Sequence, residues 1–335
     1  MQYQEQNSIL SIYTRPLSIL TMSYGNTFDP VKDIPPLNNK VILITGGNNG
    51  LGKQSVLEFA KHNPSRIWLA ARNVQKAQQA IDDIKQQLPE ACKTTISILE
   101  LDLSSFESIK NAAKIVLAES DRLDILMLNA GIMAVPPGLT KDGYEIQFGT
   151  NHMGHALLTK LLLPLLIKTA ESGSNTPNGG DVRVVSLSSH GHTHLPKGCF
   201  NFESLQTTGE KLGAYTCYFQ SKLANVLWAR QLAKLYPQFT VAAIHPGVVR
   251  TQLMEGATGS AAIIRMLVRV GSRLLTPVDR GVRNQLWASV SKDVRSGEYY
   301  EPIGVKGKVS DDGKDDQLAR ELWEWTEKEL RAHCV

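Results

Sequence analysis

Tyr215 and Tyr218 stand three apart in AYTCYFQSKLANV (214–226), and only Tyr218 has a lysine four residues later, Lys222. On a helix that spacing puts both side chains on one face. A free tyrosine titrates at about 10, too high for a good base near neutrality. A neighbouring ammonium favours the phenolate and lowers that value. Such a pair could take a proton from an alcohol, or return one to a carbonyl, while a redox cofactor carries the hydride. The chain has 9 tyrosines, so the spacing alone is not specific. An amphipathic helix with a snorkelling lysine reads the same way.

A second stretch narrows the choice. TGGNNGLGK (45–53) follows a short apolar run, KVILIT, and opens a helix-like segment. Gly46, Gly50 and Gly52, spaced TGxxxGxG around Asn49 and Leu51, let a backbone turn tightly and approach a pyrophosphate at a helix N-terminus. At the end of the next strand-like run, where a dinucleotide's adenosine ribose lies, the chain reads AARN. An acid there would bind the 2′-hydroxyl of NAD. Arg72 instead suits a 2′-phosphate, and Lys53 adds positive charge, so NADP(H) is expected over NAD(H). HGHTH (190–194) raises a metal site, but no carboxylate or cysteine stands at ligand spacing. The rim of a substrate site is the simpler expectation, with no metal. His152 and His155 are expected to satisfy buried hydrogen bonds.

These residues need a scaffold. Strand-like runs at 40–45, 66–70, 95–101, 123–130, 182–189 and 239–245 alternate with helix-like runs at 52–62, 73–88, 104–118, 143–166 and 215–236. Asn73 is a natural N-cap, and Pro164 should bend or interrupt the long fourth helix. Alternating strands and helices with short links predict an α/β fold, a doubly wound parallel sheet, with the ligand at the carboxyl ends of its strands. Residues 171–181 read as an exposed loop. Residues 252–335 add helices without a core of their own, giving one domain (38–335) with a C-terminal helical extension. Residues 1–37 read as a flexible N-terminal segment, and Met22 as a second plausible start.

TGGNNGLG, LDLSS, LNAG, TNHMGH, VVSLSS, YFQSK and HPGVVRT, in that order, resemble the short-chain dehydrogenase/reductase family. NHMGHALLTKLL and QSKLANVLWARQLA resemble its retinol dehydrogenase-like branch most. The resemblance spans roughly residues 38–330 and rests on motifs that agree in order and context. It implies a Rossmann fold and hydride transfer between a nicotinamide and an alcohol or carbonyl carbon. Asp102 and Leu103 match the pair that holds the adenine. Asn129, Ala130 and Gly131 match a turn lining the cofactor, and Asn151 the helix asparagine that keeps a water for proton relay. Ser189 matches the serine that hydrogen-bonds the substrate oxygen, with Ser188 as its rival in register. Tyr218 and Lys222 match the catalytic pair, with Lys222 also holding the nicotinamide ribose. Pro246, Gly247, Val249 and Thr251 match the loop beside the nicotinamide.

The remaining composition bounds the partners. The chain has 335 residues, 42% hydrophobic and 20% charged, with net charge +4 and no basic block, so nucleic acid is not expected. Four scattered cysteines without a Cys-x-x-Cys read as free thiols in a reducing compartment. No membrane-spanning helix and no secretory signal are expected, which places the protein in the cytoplasm. Near 252–276 the resemblance places a substrate flap. There Arg265, Arg269 and Arg273 form a basic stripe beside Ile263, Ile264, Leu267, Val270 and Leu274. A lid over a lipophilic small molecule, or peripheral membrane contact, would each use such a surface. GEYYEPIGVKG (297–307) is expected as a surface strand and turn, and LARELWEWTEKEL (318–330) as a helix whose tryptophans pack. The resemblance allows a homodimer through 143–166 and 215–236. A non-catalytic NADP(H) sensor or a membrane-surface protein on the same fold is the alternative to the enzyme.

Overall fold

Seven apolar runs form strands: Val41–Thr45 (β1), Arg66–Ala71 (β2), Thr95–Glu100 (β3), Ile125–Leu128 (β4), Val182–Leu187 (β5), Phe239–Ile244 (β6) and Glu298–Tyr300 (β7). They pair in the order β3-β2-β1-β4-β5-β6-β7, every neighbour parallel. The computed structural model describes residues 26–172, 180–251, 253, 257–258 and 275–333. Every residue of β1, β4 and β5 is buried, because helices cover both faces of a parallel sheet.

Gly50–Ala60 (α1), Val74–Lys85 (α2) and Arg283–Val290 (α6) cover one face through residues such as Phe59, Ile81 and Trp287. Phe106–Glu119 (α3), Gly154–Glu171 (α4) and Ala214–Leu235 (α5) cover the other through Ile109, Leu158 and Leu227. Asn73 caps α2 by accepting from Lys76 N at 2.8 Å. The order reverses between β1 and β4, and the crevice at such a reversal is where ligands bind.

Three expectations are corrected. The fourth helical region begins at Ile146, passes through a π-turn at Gly149–Met153 and runs on through Pro164 to Glu171. Pro164 lies on the exposed side of α4, where a lost helical hydrogen bond costs least, so the helix tolerates it. The irregularity falls at Asn151 instead. By length and composition Ile146–Glu171 could cross a membrane, with mean hydropathy 1.2, but 61% of that window is buried in the fold. It is a core helix, apolar because it packs on two sides.

Residues 297–307 form the expected strand and turn, but β7 is the sheet's last strand rather than a surface one, with Tyr299 and Tyr300 buried. Nor are residues 26–37 flexible, since Phe28, Ile34 and Leu37 pack into the core and Asn26 N donates to Ile303 O at 3.1 Å. Residues 1–25, most of the flap and the arginine stripe lie outside the described residues. Among the described residues, Cys92, Cys199 and Cys217 are free thiols.

The C-terminal extension closes the α3–α5 face. Asp316–Leu330 (α7) buries Ala319, Leu322 and Leu330. Arg230 and Lys234 of α5 meet Asp316 at 2.6 and 2.7 Å, and Lys160 meets Glu327. Trp323 stacks on Trp228 and Trp325 sits edge-on to Phe148, so the tryptophans pack. Truncating Leu322 to alanine should cost about 2–4 kcal/mol, read as a lowered urea midpoint at unchanged slope.

Candidate active site

The first turns of α5 rest on the carboxyl end of β5, and this contact builds the proton-transfer half of the site. Lys222 is 4% exposed, and its Nζ donates to Leu187 O at 2.9 Å. Asn225 Nδ2 donates to the same carbonyl at 3.1 Å. Ser188 Oγ donates back to Lys222 O at 2.7 Å, so Ser188 bonds the helix to the strand. Strand alternation sends Ser189 the other way. Ser189 hydrogen-bonds the phenol of Tyr218, and its Oγ accepts from Gly191 N at 3.0 Å. Tyr215 is only half-buried and lies against Phe219.

The electrostatics differ from what the Tyr-Lys spacing alone predicts. Burial pushes the Tyr218 phenol up to about 12, although the Ser189 hydrogen bond pulls the other way. Burial also lowers the Lys222 ammonium to about 8. The ammonium sits 5.7 Å from the Tyr218 ring centroid and points at Leu187 O. Desolvation therefore outweighs the charge effect. Burial thus favours the phenol form of Tyr218.

The glycine loop forms the cofactor half. Gly46 adopts φ +67°, a conformation costly for any residue with a Cβ. A Cβ on Gly52 would lie 2.2 Å from Gly46 O and 2.6 Å from Asn129 Nδ2, so the helix N-terminus can close onto the turn only with glycine there. Asn49 precedes α1 as its N-terminal flank, and Leu51 is half-buried beside Gly52. Leu51 O lies 3.5 Å from Gln285 Nε2.

A buried network sets this loop. Asn129 N and Ala130 N both donate to Thr45 Oγ1 at 2.9 Å. Asn129 Nδ2 donates to Thr45 O at 2.8 Å. Thr45 Oγ1 lies 2.9 Å from His155 Nε2, and His155 Nδ1 lies 3.0 Å from Asn151 O. The carbonyl must accept, so Nδ1 carries the proton and Nε2 takes the threonine's. Burial lowers His155 to about 4, keeping that ring neutral.

Asn151 is fully buried in the π-turn. Its amide donates to Ile132 O and Ser221 Oγ and accepts from Ile132 N, all at 2.8–2.9 Å. The side chain is thus fully engaged, leaving the backbone carbonyl, shared with His155, as the group a relay water could use. A Cβ on Gly131 would lie 3.1 Å from Asn151 Oδ1 and 3.4 Å from Lys222 Nζ. Gly131 is the point where the two halves meet.

The other expected residues are distributed around this centre. Arg72 is exposed immediately beyond β2. Lys53 is tied to Asp83 of α2 at 2.5 Å, so its charge is already partnered. Asp102 Oδ1 accepts from Ser104 N and Oγ at 3.0 and 2.7 Å. Leu103 is buried against Gly154. The loop after β6 carries half-buried Pro246 and Gly247 and buried Val249. It folds back until Thr251 Cγ2 lies 3.4 Å from where a Gly50 Cβ would stand. HGHTH is dispersed: His190 Nδ1 meets Glu301 Oε1 at 2.6 Å, while His192 is buried. Among the described residues no cluster of His, Cys, Asp and Glu could hold a metal ion.

Sequence reasoning missed Thr45 and Gln285; it expected the buried hydrogen bonds that His155 makes, without their link to the glycine loop. Gln285 Nε2 donates to Ser55 Oγ at 2.7 Å and lies 3.4 Å from Asn129 Oδ1. It sits in the C-terminal extension, more than 150 positions from Asn129, and no local pattern marks it.

The lowered Lys222 value has a thermodynamic consequence. An unfolded chain holds that proton up to its ordinary value near 10.5, and the folded chain only to about 8. The unfolded state binds more protons between these limits, so stability rises with pH across that window. Lys222→Met should raise Tm by several degrees at pH 7 and abolish turnover, and the gain should shrink between pH 8 and 10.5. A pH series of melting curves on both proteins checks this.

The description short chain dehydrogenase fits residues 40–192 by family model. Short-chain dehydrogenase/reductase drtF of Aspergillus calidoustus is 38% identical over 312 residues, 89% of this chain and 96% of that protein. Human retinol dehydrogenase 13 is 35% identical over 291 residues, 85% of this chain and 82% of its own. A crystal structure from Mycobacterium paratuberculosis superposes with TM-score 0.69 at 28% identity, covering 91% of this chain and 98% of that one. The NADPH-bound carbonyl reductase from chicken fatty liver shares the fold at TM-score 0.59 and 24% identity, covering 81% of this chain and 99% of its own. With its parallel seven-stranded sheet and its glycine loop at the strand-order reversal, this chain belongs to the short-chain dehydrogenase/reductase family, nicotinamide-dependent oxidoreductases acting on small molecules.

Proposed function

We propose that the protein is an NADP(H)-preferring reductase of a lipophilic carbonyl compound. The observation that carries this reading is the convergence of Tyr218, Ser189 and Lys222 at the end of β5, with Tyr218 held as a phenol. A nicotinamide cofactor, when bound, supplies the hydride. Ser189 orients the carbonyl oxygen, and Tyr218 delivers the proton that turns the alkoxide into an alcohol. Lys222 holds the nicotinamide ribose and balances charge as the phenolate forms. Asn151 contributes its carbonyl to a proton relay.

The preference for NADP(H) is supported by Arg72, exposed beyond β2 where a 2′-phosphate would lie. Lys53 contributes less than the sequence suggests, since Asp83 already pairs it. Asp102 and Leu103 flank the adenine, and Gly46, Gly50, Gly52, Asn129, Ala130, Gly131 and the Pro246–Thr251 loop enclose the rest of the cofactor. The lipophilic substrate is supported by the name of a relative, retinol dehydrogenase 13, and by the apolar residues of the flap. We place the protein in the cytoplasm, with peripheral membrane contact and a homodimer as the associations this reading allows.

Wild type and Tyr218→Phe, assayed on lipophilic aldehydes and ketones with NADPH and NADH, test the reading. Wild type should turn over with NADPH, and Tyr218→Phe should lose about 100-fold or more in kcat while still binding NADPH. Arg72→Glu should lower kcat/KM for NADPH by about 10–100-fold, the worth of a charged hydrogen bond, and spare NADH. A wild-type preference for NADH would overturn the cofactor assignment. Cofactor binding without turnover would favour the sensor, and failure to bind either cofactor would refute the site.

A further inference from the structure

HGHTH is the one motif that neither hydride nor proton transfer accounts for. It forms a single tight turn, His190–His194, preceded by Ser189. His192 is its buried member, 0% exposed, with its ring edge-on to Tyr299 at 4.6 Å. Its Nδ1 lies 2.6 Å from Ser189 O, and its Nε2 lies 3.1 Å from Ser310 N. A carbonyl can only accept and a backbone N–H can only donate. The tautomer is therefore fixed: Nδ1–H donates to the serine's carbonyl, and bare Nε2 accepts from Ser310. Burial, the chief cause, lowers this imidazole to about 4, so the neutral ring persists at physiological pH.

Two consequences follow for Ser189. Its Oγ already accepts from Gly191 N at 3.0 Å, which leaves the hydroxyl proton to point at Tyr218 and the substrate oxygen. A donor of this kind works only if it is held within about 0.5 Å of its productive position. The serine's own carbonyl is fixed by an imidazole whose far side is fixed in turn. Ser310 lies beyond β7, in a loop pinned by Gly313 N on Ser310 Oγ at 3.1 Å and by Gly198 N on Asp312 Oδ2 at 2.9 Å.

We propose that His192 is a positioning residue for Ser189: its Nδ1–H holds the serine's carbonyl, and through it sets where the substrate-facing hydroxyl stands, while the Ser310 contact on Nε2 serves to fix the ring's tautomer. This rests on the reductase reading above.

The two nitrogens can be separated by substitution. Asparagine places its amide nitrogen where Nδ1 stands, and glutamine reaches only the place of Nε2. His192→Asn should keep kcat within about 3-fold of wild type, and His192→Gln should lose about 10-fold, as expected for a loosened donor. KM for NADPH should stay unchanged in both. A role confined to tethering the loop would reverse that order, because glutamine keeps the Ser310 contact. Crystal structures of wild type and His192→Gln give a readout independent of turnover: Ser189 Oγ should move from the Tyr218 hydroxyl by about 0.5 Å or more. Equal kcat in the two variants, or an unmoved Ser189, would overturn the proposal. If wild type reduces no carbonyl, the reductase reading falls, and the crystallographic comparison still decides the clamp.

Discussion

One backbone carbonyl, Leu187 O at the end of β5, is the joint on which the site depends. It accepts from Lys222 Nζ at 2.9 Å and from Asn225 Nδ2 at 3.1 Å. Ser188 returns a hydrogen bond from the strand to the helix at 2.7 Å. A buried ammonium without an acceptor would cost several kcal/mol, so this carbonyl makes a buried lysine tolerable. It also fixes the rotation and height of α5 against the sheet. Tyr218 then faces Ser189, and Lys222 faces Gly131. Without that joint the Tyr-x-x-x-Lys pattern would be two side chains on a helix.

A second joint sets the cofactor loop. Thr45 Oγ1 gathers two backbone N–H groups from the end of β4 and gives its own proton to His155. His155 reaches Asn151 in the π-turn, where the helix departs from regular spacing and a carbonyl becomes available to a third group. The glycine loop and the proton-relay turn are thus held by one buried imidazole. Gly131 lies between them, where a Cβ would crowd Asn151 Oδ1 at 3.1 Å and Lys222 Nζ at 3.4 Å.

Both titrating groups of the catalytic pair are displaced by burial in the direction that disfavours charge: Tyr218 upward and Lys222 downward. The site therefore spends fold stability on two poorly solvated groups, the usual condition of a reactive centre. A closed, dry environment also strengthens any hydrogen bond made within it.

By itself the sequence determined the class of fold, because continuous apolar runs alternating with amphipathic segments admit little besides a covered parallel sheet. It marked the glycine loop, since Gly46 and Gly52 occupy places where a Cβ cannot stand, and it singled out Tyr218 by its distance from Lys222. It did not separate Ser188 from Ser189; only the pleat, pointing Ser188 at α5, does that. It misplaced the break in the fourth helix at Pro164, because a proline's cost depends on which side of the helix it occupies. It counted Lys53 as positive charge beside the cofactor, blind to Asp83 on a neighbouring helix that pairs it. The roles of Thr45 and Gln285, and the far-side contacts of His155 and His192, were invisible for the same reason. Those partners lie far away in sequence, and a hydrogen bond at such separation leaves no periodicity to read. The direction of the Tyr218 shift was also decided by tertiary structure. Spacing reports a nearby charge, but desolvation depends on everything packed around the ring.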